Sequence, residues 1–165
     1  MAGIEFIPIE DSHLQDIADI LNYYILNSTA TFHKEILSAD EMREKVFFVN
    51  PIYKAFLIKY FGEVVGYCAV SMWKKQEAYR HTAEINIYLK NGFTGRGIGN
   101  TAITYLEQYA KEQNIYNLIA GLCRENIASN SLFEKNGYIL CAHFKGVGEK
   151  FGRVLDTVYF QKRLD

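Results

Sequence analysis

The sequence predicts an α/β fold: a sheet of mixed direction with helices around it and parallel pairing across one βαβ crossover. Three observations carry that expectation. Helical and strand periodicities succeed one another in the order βα(α)βββαβαββ. Phe61-Gly62 stands between two β-rich runs, which marks an antiparallel hairpin. Further on, a strand, a glycine-rich turn, a helix and a second strand follow one another from Thr82 to Leu122, which is the pattern of a crossover.

Each element has its own signal. Ile4 to Ile9 reads as a first strand. Ser12, with Gln15 three residues on, has the form of a capping box. Leu14, Ile17, Ala18, Leu21 and Ile25 follow at helical spacing, so a helix is expected to about Leu26. Asn27 to Phe32 breaks that spacing and is expected to be a loop. Ser38 can cap a short helix from about Ala39 to Phe48. Ala55–Tyr60 and Glu63–Met72 are the hairpin strands, and Thr82–Leu89 alternates as a further strand. A helix from about Gly97 to Gln113 turns Ala102, Leu106, Tyr109 and Ala110 to one face. Asn117–Leu122 is a strand, and Ile127–Lys135 a helix closed by Asn136-Gly137. Tyr138–Lys145 and Leu155–Lys162 complete the set.

Composition narrows the class. A chain of 165 residues with 49% apolar residues suits one domain, residues 1–165, with a substantial core. A formal charge of −1 offers no field for nucleic acid or an anionic membrane, so neither is expected as a partner. Three cysteines, Cys68, Cys123 and Cys141, form no CxxC pair, which argues against a disulfide framework and for a reduced, cytoplasmic setting. No signal peptide and no apolar run of membrane-spanning length are visible. The four histidines are scattered without ligand spacing, so no metal is expected.

The glycine turn Thr94-Gly95-Arg96-Gly97-Ile98-Gly99 carries the first chemical signal. Absent side chains let a polyanion approach the backbone, and the free N–H groups and dipole of the following helix favour negative charge. Arg96 adds a charge-assisted contact. Two nucleotide readings fit poorly. A P-loop needs Gly-Lys-Ser/Thr where Gly99-Asn100-Thr101 stands, and a dinucleotide fingerprint needs a third glycine where Asn100 stands. A plain helix start remains the bland alternative for three glycines taken alone.

Strand, [Gln/Arg]-x-x-Gly-x-[Gly/Ala], then helix resembles the acyl-CoA signature of the GNAT family of N-acetyltransferases, with Thr94 in place of the usual Gln or Arg. Asn126-Ile127-Ala128-Ser129-Asn130-Ser131-Leu132-Phe133-Glu134-Lys135-Asn136-Gly137-Tyr138 is similar to that family's second cofactor segment. Thr29 to Phe32, Tyr79 to Glu84 and Val147 to Asp156 look like the phosphinothricin and methionine sulfone acetyltransferase branch, with Val154 where Trp is typical. The resemblance implies a mostly antiparallel mixed sheet with the crossover at the cofactor site, acetyl-CoA as co-substrate, and a homodimer. It implies that Ile87, Tyr88, Leu89, Thr94, Gly95, Arg96, Gly97, Ile98, Gly99, Asn100, Asn126, Ser129 and Phe133 lie along acetyl-CoA. In relatives the turn's amides hold the pyrophosphate, and the residue at Asn126 bonds the pantetheine arm.

Acetyl transfer needs a deprotonated amine, which calls for a base. Glu84, on the strand before the glycine turn, is the candidate, and the resemblance places the branch's base there; a salt-bridged strand carboxylate is the bland alternative. His81 is a second candidate, weighed against an ordinary loop histidine. A backbone N–H among Ile87, Tyr88 and Leu89 would stabilise the developing oxyanion. Relatives often carry Tyr or His as a general acid where Phe133 stands, and Phe cannot donate a proton. Thr31, Phe32, Trp73, Tyr79, Arg80 and Lys150 are the candidate acceptor site, Arg80 because a guanidinium suits a carboxylate. The leading expectation is direct acetyl transfer to a small amino-acid-like amine, of the phosphinothricin or methionine sulfone or sulfoximine type, in a ternary complex. A catalytically silent acyl-CoA sensor, a protein N-terminus or lysine acetyltransferase, and an ATP- or NAD-dependent enzyme are the alternatives.

Overall fold

A computed structural model describes residues 2–164. Its elements run β1 (Ile4–Pro8), α1 (Leu14–Asn27), α2 (Ala39–Val46), β2 (Lys54–Tyr60), β3 (Glu63–Met72), β4 (Thr82–Leu89), α3 (Ile98–Glu112), β5 (Asn117–Cys123), α4 (Ile127–Lys135), β6 (Ile139–Lys150) and β7 (Arg153–Arg163). The seven strands form one sheet in the order β1-β2-β3-β4-β5-β7-β6. All neighbours are antiparallel except β4 and β5, the pair spanned by α3.

Strand alternation builds a core on each face. On one face, Phe56, Ile58, Cys68, Val70, Ala83 and Ile85 pack against Ile98, Ala102 and Leu106 of α3, with Phe133 of α4. On the other, Leu57, Tyr67 and Ala69 meet Ile17, Leu21 and Ile25 of α1 and Met42 and Val46 of α2. Each helix has an apolar stripe facing the sheet, so burial of that stripe explains the three-layer arrangement.

The element order matches the sequence reading, and the differences have local causes. A short 3-10 turn, Asp11–His13, precedes α1, and the N–H of Glu10 donates to His13 Nδ1 at 3.1 Å; the expected Ser12–Gln15 box is not the cap used. Ser38 caps α2 as expected, accepting from the Glu41 N–H at 3.2 Å. The largest difference is the last hairpin. The sequence reading ends this strand at Lys145, yet β6 continues through Gly146 and Gly148 to Lys150 with a register shift between Phe144 and Gly148. The turn falls instead at Phe151-Gly152, both at positive φ (53° and 69°), as a two-residue hairpin turn requires.

One feature of the sheet positions the site. β4 and β5 pair only from Thr82 to Glu84, opposite Asn117 to Ile119. Beyond those three pairs the strands part, and Ile85 to Leu89 face an opening in the sheet.

Candidate active site

The opening leads at one end to the glycine turn. Gly95 and Gly97 hold φ of 74° and 79°, left-handed values where a Cβ is strained, and Gly97 is the N-cap of α3. A Cβ on Gly95 would meet no atom within 4 Å, so open space lies over the turn. The first-turn N–H groups of Ile98, Gly99 and Asn100 precede the first intrahelical bond, Thr101 N–H to Gly97 O at 3.2 Å. Thr94 and Arg96 are exposed, and the Arg96 guanidinium lies 4.9 Å from the Phe93 ring centre. Gly99 has a second reason to be glycine: an added Cβ would sit 2.9 Å from Leu132 Cδ2, so its missing side chain serves the contact between α3 and α4. Ile98 is buried in the core and offers the turn only its backbone. The Asn100 amide oxygen accepts from Asn136 Nδ2 at 2.8 Å.

On the far side of the opening, Asn126 caps α4. Its Oδ1 accepts the Ser129 N–H at 3.3 Å, which fixes the amide and leaves Nδ2 with no partner among the described residues. Phe133, 4% exposed, stands edge-to-face with Tyr138 at 5.0 Å. It is a core residue, and it lies away from open space.

Alternation decides where Glu84 points. Ala83 and Ile85 enter the α3 core, so Glu84 and Tyr88 face the other side of the sheet. There a cavity of about 240 Å³ is floored by Glu84, Tyr88, Gly121, Cys123, Thr157 and Tyr159. Its roof is the loop after α1, with Thr29, Ala30, Thr31 and Phe32. Among its lining residues Glu84 is the one charged group. Glu84 is half-buried, and desolvation pushes its carboxyl above the usual range. Gly121 makes room: a Cβ there would lie 2.9 Å from Tyr159 Cε1 and 3.5 Å from Glu84 Oε1. Burial also raises the Tyr88 hydroxyl, which the Thr31 hydroxyl bonds. A larger groove, about 460 Å³, runs between α1 and Lys90, but its charges are Asp16, Asp19 and the Lys90–Glu63 ion pair, away from the opening.

The structure thus brings Thr31 and Phe32 to Glu84, and four other sequence candidates elsewhere. Lys150 is 2% exposed, and its ammonium donates to the carbonyls of Ser28 (2.6 Å) and Thr31 (2.8 Å), with Tyr24 O at 3.4 Å. It holds the roof from behind. Trp73 and Tyr79 pack edge-to-face at 5.0 Å, with Lys74 Nζ 4.8 Å from the Trp73 ring, outside the cavity. Arg80 Nε donates to His81 Nε2 at 2.8 Å, while His81 Nδ1 donates to Asn114 O at 2.7 Å and the ring stacks on Tyr116. Both His81 nitrogens are therefore engaged, which removes it as a base. Sequence reasoning missed Gly121, Thr157 and Tyr159. A lone glycine inside a strand was a readable sign of close approach. Thr157 and Tyr159 needed the β5–β7 register.

The arrangement fits an acyl-CoA: an anion-binding turn, a strand edge with unpaired amides, a fixed Asn amide, and a desolvated carboxylate beside a small cavity. Among the described residues no cluster of His, Cys, Asp and Glu could hold a metal, and no helix is long and apolar enough to cross a membrane. Comparison with known proteins agrees. Residues 9–159 match the family model described as an acetyltransferase (GNAT) domain. The chain is 30% identical over 151 residues to the L-amino acid N-acyltransferase MnaT of Escherichia coli, covering 90% of this chain and 87% of that one. It is 27% identical over 155 residues to the L-methionine sulfoximine/L-methionine sulfone acetyltransferase of Salmonella typhimurium, covering 90% and 88%. The crystal structure of a GNAT superfamily phosphinothricin acetyltransferase from Sinorhizobium meliloti, in complex with acetyl-CoA, superposes with a TM-score of 0.91 at 26% identity, covering 98% of this chain and 88% of that one. With a family match over most of its length, this chain belongs to the GNAT family and is an N-acetyltransferase with acetyl-CoA as its co-substrate.

Proposed function

We propose that the chain is one domain, residues 1–165, that acetylates the amine of a small amino-acid-like substrate, of the phosphinothricin or methionine sulfone or sulfoximine type, by direct transfer in a ternary complex. The observation that carries this reading is the position of Glu84. It is the sole charged lining residue of a small cavity, at the point where β4 and β5 separate. A cavity of about 240 Å³ suits a compact acceptor. The relatives that act on L-amino acids and on methionine sulfone support the substrate class.

Acetyl-CoA supplies the acyl group as a thioester. Amide groups of the glycine turn and of the first turn of α3 bind the pyrophosphate, and Asn126 Nδ2 donates to the pantetheine arm. Glu84 takes the proton from the amine, directly or through one water, as the N–C bond forms and the C–S bond breaks. A backbone N–H among Ile87, Tyr88 and Leu89 meets the negative charge that develops on the carbonyl oxygen. Phe133 donates nothing. A thiol pKa near ~8.5 makes the thiolate a tolerable leaving group without an acid. The odd number of unpaired cysteines, three, supports a cytoplasmic setting. A homodimer is supported by the exposed apolar residues of the last hairpin, among them Ile139, Phe144, Val147 and Val154.

The test is thiol release from acetyl-CoA with phosphinothricin, L-methionine sulfone, L-methionine sulfoximine and the common amino acids. At least one should accelerate release, with intersecting initial-rate lines. Glu84→Gln should lower kcat by about 10²- to 10⁴-fold and leave the acetyl-CoA KM nearly unchanged. An unchanged kcat removes Glu84 as the base; parallel lines remove the ternary complex.

A further inference from the structure

The cavity roof has no secondary structure of its own. From Ser28 to Leu37 the chain runs as loop between α1 and α2, and Thr29, Thr31 and Phe32 hang from it over Glu84. Asn22 bonds both backbone groups of Leu37 at its far end, at 2.8 Å each, and the Thr31 hydroxyl reaches Tyr88; two further ties hold the stretch over the cavity. Lys150 grips the Ser28 and Thr31 carbonyls from behind. At the mouth, the Glu125 carboxylate accepts two guanidinium bonds from Arg153, at 3.0 and 2.8 Å, and one from the Thr29 hydroxyl at 2.8 Å.

The second tie is unlike an ordinary surface ion pair. Arg153 grips the carboxylate in a fork, which fixes its plane, and the oxygen shared with Thr29 is thereby aimed. Glu125 immediately precedes Asn126, the cap of α4. Among the described residues, the Thr29–Glu125 bond is the one hydrogen bond joining the roof to the β5–α4 turn. The Arg153 and Glu125 side chains are 56% and 41% exposed, so the pair adds little to global stability. Its effect is local to the mouth of the cavity.

We propose that Glu125, oriented by Arg153, is a positioning residue for acceptor recognition: it latches Thr29 and so sets the width of the cavity mouth beside the cofactor segment. This rests on the cavity being the acceptor site. Glu125 touches no reacting atom. Loosening the latch lets the roof drift and weakens the hold on the amine, while the glycine turn, Asn126 and Glu84 keep their places. Salt screens the exposed pair and acts in the same direction.

Glu125→Gln in the full chain tests it, with Glu125→Asp as the conservative variant and Thr29→Val as an independent route that removes only the hydroxyl. Hydrogen exchange of residues 29–33 should accelerate several-fold in Glu125→Gln and Thr29→Val, with α1, α3 and the melting temperature unchanged. With L-methionine sulfone as the probe acceptor, or the best amine of the panel, the acceptor KM should rise by about ten-fold. The acetyl-CoA KM and kcat should stay within about two-fold, and Glu125→Asp should recover part of the loss. The wild-type acceptor KM should rise with ionic strength, and that rise should vanish in Glu125→Gln. Unchanged exchange, or faster exchange with an unchanged acceptor KM, overturns the proposal. A fall in kcat with no change in KM overturns it too. If no amine is acetylated, the acceptor-site reading fails by itself, and the exchange measurement alone decides whether Glu125 holds the roof.

Discussion

The base role proposed for Glu84 comes at some expense to the fold. Burial raises its pKa, so ionising it is harder in the folded protein than in the unfolded chain. A carboxyl with a raised folded pKa contributes stability that is complete below the unfolded value, near ~4.3, and is lost as pH climbs through the folded value. At pH 7.5 Glu84→Gln should therefore melt higher than the wild type while turning over far more slowly, and the melting difference should vanish below about pH 4. If Glu84 is the base, the kcat/KM of the wild type should fall on acidification at a pH above the usual carboxylate range, because the carboxylate must be ionised to take the proton. Gly121 is the second residue that decides the site. Gly121→Ala would press on Tyr159 Cε1, 2.9 Å from the new carbon, and crowd Glu84 Oε1 at 3.5 Å. It should lower kcat sharply and destabilise by roughly 1–3 kcal/mol, measured by steady-state rates and thermal melting. Glu84 was legible in the sequence because its strand leads into a recognisable turn. Gly121 was legible only as a glycine inside an apolar strand, a sign of close approach that does not name the neighbour needing the space.

At the scale of elements, the last hairpin was the part least legible. The expected strands end at Lys145 and resume at Leu155, whereas β6 runs to Lys150 and β7 starts at Arg153, and Lys150, expected in the acceptor site, is buried behind the roof. The partners that make Lys150 structural, Ser28 O and Thr31 O, stand more than a hundred residues earlier, at sequence separations of 122 and 119. No local pattern encodes such a contact. Lys150→Met should leave those carbonyls unpaired and cost about 2–4 kcal/mol, read from the denaturant midpoint. Helix starts were legible in part: Ser38 caps α2 as expected, the Ser12–Gln15 box is not used, and Asn126, expected on the pantetheine arm, also caps α4. The glycine turn was read correctly as a helix start, but Gly99 shows that one glycine can serve helix packing while its neighbours serve the backbone conformation.

Across the whole molecule, α1 and α2 cover one face of the strands before β5, and among the described residues no helix covers β7 and β6 there in the same way. Phe144 is 50% exposed on that hairpin, and Val154 is 71% exposed. A second copy would bury such a face, so light scattering at micromolar concentration should report twice the chain mass. A stable monomer would refute the dimer. The strand order also divides the chain: β1 to β4 are all N-terminal to the glycine turn, and β5, β7 and β6 all C-terminal to it. Within the sheet three residue pairs join the halves, and outside it the packing of α3, the Lys150 bonds to Ser28 O and Thr31 O, the Thr29–Glu125 bond and the His81–Asn114 bond do so. Beyond Glu84 the edge of β4 that faces β5 lacks a neighbouring strand, so an extended carrier lying there would take a strand's place and complete the sheet with its own amides.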